Sequence, residues 1–114
     1  MALEMKLGIL LTTSPEHQDV YTAVQLAKAA LAQGHEVSFY IMDDGVYVLR
    51  DHPKNSWAAE FKALLERGAK IALCATNCSP RGLEKGEVIP GVLWGSQYDH
   101  AGVVNQSDRY LAFC

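Results

Sequence analysis

A chain of 114 residues can enclose one hydrophobic core and has no length to spare for a separate catalytic lid domain. Hydrophobic residues at 49%, charged residues at 20% and only four prolines exclude a disordered or fibrous chain. A formal net charge of -3 without a long basic run gives no footprint for nucleic acid or an anionic membrane surface, and no segment is apolar for long enough to span a bilayer.

Residues 7–11, LGILL, form a nearly continuous aliphatic run, the pattern of a strand covered on both faces. Glu4 precedes it and no small-residue cleavage site follows, which argues for a cytoplasmic protein. Ser14 and Pro15 then supply a helix cap and a first helical residue, and Glu16 suits the positive helix end, so a helix is predicted over residues 15–33. Its apolar stripe is Val20, Ala23, Val24, Ala27, Ala30 and Leu31, and Gly34 supplies the left-handed stop. Residues 35–42, HEVSFYIM, alternate and then turn apolar, which predicts a second strand entering a sheet interior. Strand, helix, strand is the βαβ pattern.

Asp43, Asp44 and Gly45 close that strand, and residues 46–49 read as a short helical turn or loop. The adjacent carboxylates admit an acid–base or metal reading, although strand-end aspartates also serve as turn formers and helix caps. Residues 51–56 make a polar connection ending in a cap at Ser56. A second helix follows, with Trp57, Phe61, Leu64 and Leu65 on one face, Glu60, Lys62 and Glu66 on the other, and Gly68 at its end.

Residues 69–74 are apolar apart from Lys70 and predict a third strand, which delivers Cys74 to its end. In an open α/β sheet, ligands and chemistry gather outside the carboxyl ends of the strands, so Cys74 is the first candidate site residue. Ser79 and Pro80 repeat the cap pattern and put Cys78 just outside a predicted helix start, where exposed N–H groups and the charge of Arg81 favour a thiolate. Pro90 and Gly91 mark a turn, a last helix is predicted over residues 92–106, and residues 110–113 form a short terminal strand. Strands alternating with three longer helices make a small doubly wound α/β domain over residues 1–114, with the strand order left open.

Four stretches, GILLTTSPEH, AQGHEVSFYIMDDGVY, LCATNCSPRGL and GVLWGSQYDHAGVVNQSDRYLAF, together resemble the DsrE/TusD family of small α/β proteins associated with sulfur relay. The joint features are Cys74, followed eight residues later by Gly82 with Arg81 beside it, and the SDRYLAF ending. The resemblance implies a DsrE-like sheet, mostly parallel with helices on both faces. It also implies a cysteine at position 74 that carries sulfur as a persulfide between donor and acceptor proteins, in subunits assembled as trimers or hexamers. The CxxxC spacing of Cys74 and Cys78 departs from the CxxC of some relatives and leaves the role of Cys78 open.

The residues agree with that role. A sulfur carrier needs an accessible thiolate and donors for the anionic persulfide, and it needs no metal, nicotinamide or nucleotide; the chain has neither a GxGxxG fingerprint nor a P-loop. Three other readings stay open at this point. They are a zinc site built from Cys74, Cys78 and a histidine, a redox module cycling a Cys74–Cys78 disulfide, and a non-catalytic oligomeric binding protein. His17, His35, His52 and His100 are scattered, and His100 beside Asp99 is the one with a neighbouring carboxylate.

Overall fold

The computed structural model describes residues 4–114; residues 1–3, included above in the search for a leader, lie outside that range. Five strands, β1 (Lys6–Leu11), β2 (Glu36–Ile41), β3 (Lys70–Cys74), β4 (Leu93–Gly95) and β5 (Arg109–Phe113), form one sheet in the order β4-β3-β2-β1-β5. Every pairing is parallel. Four α-helices accompany them: α1 (Gln18–Ala32), α2 (Trp57–Glu66), the single turn α3 (Ala75–Cys78) and α4 (Gln97–Gln106).

Strand alternation divides the side chains between two faces. Ile9, Leu11, Val37, Phe39, Ile41, Ile71 and Leu73 point to the face covered by α1 and α2 and form the main core with Val20, Ala23, Val24, Ala27, Phe61 and Leu64. Tyr40, Ala72 and Cys74 point to the other face, where Leu10, Met42 and Val103 of α4 pack against them. The topology follows from the preference for right-handed crossovers. The chain steps from β1 to β4 with its connections on the α1 side and then returns through α4 across the opposite face to β5.

Phe61 meets Phe39 edge to face, with centroids 5.4 Å apart and planes at 74°. Phe61→Ala is expected to cost about 3–5 kcal/mol through lost burial and the cavity left behind. A urea-unfolding midpoint equal to that of the unaltered chain would show that the ring does not anchor α2.

Four local expectations are corrected. The first helix begins at Gln18 rather than at Pro15, because the Pro15 carbonyl accepts a 2.9 Å hydrogen bond from Trp57 Nε1. Ser14 Oγ donates to Glu16 Oε1, and His17 Nδ1 caps the helix by accepting from the Asp19 N–H. At the start of α2, Ser56 makes no side-chain capping bond, and Asn55 Oδ1 accepts from the Trp57 N–H instead.

The third correction concerns Cys78. It is the last residue of α3, not the residue before a helix, and Ser79–Arg81 continues as a 3-10 turn without a capping bond from Ser79. The turn comes early because α3 follows β3 directly, and Gly82 at φ 72° ends it.

The fourth correction is a strand. Residues 93–95 pair with β3 as β4, and the last helix starts only after Ser96. Ser96 and Asp99 make a capping box: Ser96 Oγ accepts from the Tyr98 N–H and Asp99 Oδ2 accepts from the Ser96 N–H at 2.8 Å. Gly95 is required there, since a Cβ would come within 2.7 Å of Asp99 Oδ2.

Candidate functional site

The segment after β3 turns toward the α1 side, where Cys78, Leu83 and Ile89 are buried, whereas the segment after the neighbouring β4 turns to the opposite face as α4. The chain therefore parts at the carboxyl ends of β3 and β4, which is where an open α/β sheet opens a crevice. Cys74 is the last residue of β3 and stands in register with Gly95, the last residue of β4.

The Cys74 sulfur is enclosed from several elements. Thr76 Oγ1 lies 3.2 Å away, and Gln97 Nε2 at the start of α4 donates to the sulfur at 3.8 Å. Tyr40 pairs with Ala72, two residues before Cys74, so its ring shares the face of the sulfur. Burial pushes the Cys74 thiol up, but donors on which an anionic sulfur would draw, from Thr76, the Tyr40 hydroxyl, the Asn77 N–H and the Gln97 amide, together hold it below the ordinary thiol range. Cys74 is thus a buried residue whose sulfur is met by donors from α3 and α4.

Behind Gln97 stands a second layer. Its Oε1 lies 2.9 Å from His100 Nδ1, and His100 Nε2 lies 2.6 Å from Tyr110 Oη. With the amide nitrogen turned to the sulfur, Oε1 accepts from Nδ1–H and Nε2 accepts from the Tyr110 hydroxyl. Burial lowers the His100 pKa, consistent with that neutral tautomer. Gly8 leaves space here, since a Cβ on it would run into the Ser107 hydroxyl and also meet the Tyr110 ring at 3.1 Å.

Cys78 and Arg81 occupy different surroundings. Cys78 is buried in the main core on the α1 side and its thiol donates to the Cys74 carbonyl at 3.7 Å, so the two cysteine side chains belong to opposite faces of the sheet. Burial, and then the negative charge of Cys74, push the Cys78 thiol up to about 11, against a lowering influence of Arg81. Arg81 Nε donates to Asp44 Oδ1 at 3.0 Å, Nη1 donates to the Asn77 carbonyl at 3.0 Å, and Nη2 pairs with Asp43. Asn77 Oδ1 in turn accepts from the Asp43 N–H at 2.7 Å, holding Asp43 in the left-handed conformation at φ 54°. The two strand-end aspartates are therefore tied to the segment that follows Cys74.

A cleft of about 540 Å³ lined by Ser14, Glu16, Asp44, Tyr47, Arg50 and Lys54, among others, lies beyond that ion pair and does not include Cys74. Among the described residues, no three or more His, Cys, Asp or Glu side chains gather as they would around a metal ion. No helix among them is long and apolar enough to cross a membrane.

Residues 5–113 match the sequence model of the DsrE/DsrF-like family. The chain belongs to the DsrE/DsrF-like family. It is 30% identical over 114 residues to the uncharacterized protein MJ0989 of Methanocaldococcus jannaschii, covering 96% of this chain and 100% of that one. The uncharacterized protein MK0008 of Methanopyrus kandleri is 28% identical over 110 residues, covering 92% and 91%. The crystal structure of the YchN protein from E. coli superimposes with a TM-score of 0.84 at 22% identity, over 96% of this chain and 99% of that one, which establishes the shared fold.

The DsrE/DsrF-like family is associated with sulfur relay. The sequence singled out Cys74 but not Tyr40, Thr76 and Gln97, which the structure brings near it, and it paired His100 with Asp99. Asp99 caps α4, while His100 contacts Gln97, Tyr110 and the Tyr40 ring. The Ser96–Asp99 spacing was the available signal for a helix start that places Gln97 in the first turn. Nothing local in the sequence marked Tyr40.

Proposed function

We propose that this DsrE/DsrF-like protein is a cytoplasmic sulfur-relay component that carries sulfane sulfur as a persulfide on Cys74 and passes it to an acceptor protein. The observation that carries this reading is the Cys74 sulfur at the end of β3, with Thr76, Tyr40, Asn77 and Gln97 favouring its anion against the cost of burial. In loading, the Cys74 thiolate attacks the outer sulfur of a donor persulfide R–S–SH. A new S–S bond forms at Cys74, the donor S–S bond breaks, and the donor thiolate departs and takes up the proton, leaving Cys74–S–S⁻. The exchange is redox-neutral and uses no cofactor.

Cys78 and Arg81 have supporting roles in this scheme. Cys78 anchors α3 in the core, and Arg81 locks the turn against Asp43 and Asp44. Their positions favour sulfur transfer at one thiol over a Cys74–Cys78 redox couple. Incubation with a cysteine desulfurase and cysteine, followed by intact-mass and peptide analysis, is expected to show one added sulfur atom, located on Cys74. A chain that stays at its unmodified mass with competent donors would defeat the proposal.

Self-association as a trimer or hexamer is part of the same reading. Leu93, Tyr98 and Val104 are exposed at 54%, 91% and 45% on β4 and α4 around the site, which supports burial against further copies. Sedimentation is expected to give a trimer or hexamer at micromolar concentration. A monomer throughout that range would remove the assembly from the scheme.

A further inference from the structure

Tyr40 is fully buried, and its hydroxyl has no hydrogen-bond partner among the described residues. Buried tyrosine hydroxyls are ordinarily paired, so an unpaired one beside a reactive sulfur calls for a reason. The ring has little freedom to seek a partner. His100 stacks on it with centroids 4.5 Å apart and planes at 4°, and both His100 nitrogens are engaged, by Gln97 at 2.9 Å and Tyr110 at 2.6 Å. The neighbouring group that changes its hydrogen-bonding power is the Cys74 sulfur. A thiol is a weak acceptor, whereas an anionic sulfur accepts strongly from an O–H donor.

We propose that Tyr40 is a charge-selective donor, held by His100 without a partner in the resting thiol state so that its hydroxyl is available to an anionic sulfur on Cys74, either the thiolate or the outer sulfur of a persulfide. Its effect is to favour the reactive and loaded states at the expense of the resting one. The naming of the loaded state rests on the sulfur-carrier reading; the effect on the thiolate does not.

The other groups around Cys74 limit the alternatives. Thr76 and Gln97 already contact the sulfur, and the Cys78 thiol of α3 lies on the opposite face, bonded to the Cys74 carbonyl. From α4 there are His100 and Asp99, the latter engaged with the Ser96 N–H. From β5 there is Tyr110, engaged with His100, and the Arg81 charge is paired with Asp43 and Asp44. The direction of the Cys74 shift, which includes a lowering contribution from Tyr40, agrees with the geometry.

Tyr40→Phe keeps the stacked ring and removes only the hydroxyl, so it separates this role from a structural one. The pH dependence of Cys74 alkylation by iodoacetamide is measured beside urea unfolding for the variant and the unaltered chain. The expected result is a Cys74 midpoint raised by about one pH unit, tenfold less thiolate near neutrality, with an unfolding midpoint equal to or above that of the unaltered chain. An unchanged alkylation midpoint overturns the proposal, and so does a marked loss of stability, which would mean that the hydroxyl is already satisfied in the resting fold. If the unaltered chain takes up no sulfur while the Tyr40→Phe midpoint still rises, the carrier reading fails and the assignment of Tyr40 stands.

Discussion

Cys74→Ser takes up no sulfur under conditions in which the unaltered chain gains one atom, and Cys78→Ser loads as the unaltered chain does. That is the expected outcome of paired mass measurements, and the size of the first effect is complete loss. A serine hydroxyl does not ionise at neutral pH and forms no S–S bond, so the donors around position 74 have no anion to stabilise. The Cys78 thiol is buried on the opposite face of the sheet and bonded to the Cys74 carbonyl, where an incoming donor does not reach it. Equal loading of Cys74→Ser and the unaltered chain would transfer the role to another thiol. Loss of loading in Cys78→Ser, with the fold intact by circular dichroism, would restore a direct part for that residue.

The second large effect is a difference in reactivity between thiols four residues apart. With its pKa pushed up to about 11, Cys78 has roughly one part in ten thousand as thiolate at pH 7, whereas Cys74 is held below the ordinary thiol range. Iodoacetamide is therefore expected to label Cys74 at least about 100-fold faster than Cys78 near pH 7, read by peptide mapping. Comparable rates, or faster labelling of Cys78, would contradict the environments described for the two sulfurs.

The sign for stability follows. Cys78 binds its proton more tightly folded than unfolded, so its contribution is fully present below the ordinary thiol pKa. That contribution is lost as pH rises from there toward about 11. Alkaline loss of stability in that window should be smaller in Cys78→Ala, measured relative to that variant's own neutral-pH value.

Where local pattern and tertiary structure agree, the sequence alone was sufficient. The aliphatic run before Thr12, the stripe from Val20 to Ala30 and the apolar approach to Cys74 each satisfy a periodicity that the sheet and its helices use directly. It failed where a long-range contact decided the local outcome. Trp57 removes the Pro15 carbonyl from α1, and pairing with β3 draws Leu93, Trp94 and Gly95 out of a continuous helix. The site divides the same way. Cys74 announces itself by ending an apolar strand, but Tyr40 joins it only through the register of β2 on β3, and Gln97 only after the chain has crossed the sheet.

The two coverings of the sheet are unequally attached. The α1 and α2 side is fastened by Val20, Val24, Phe61 and Leu64, all out of solvent, whereas α4 has no fully buried residue. Its hold consists of the Gln97 contact with Cys74, the stacking of His100 on Tyr40, the His100–Tyr110 bond and partial contact by Val103. In terms of local opening equilibria, so few buried apolar contacts put α4 toward the low-stability end of the single chain. Opening there would carry Gln97 and His100 away together, uncover a residue that is otherwise 3% exposed, and withdraw both the Gln97 donor and the ring stacked on Tyr40. Access to Cys74 and stabilisation of its anion are thereby coupled in opposite directions: the helix that shelters the sulfur is also the one that brings Gln97 to it.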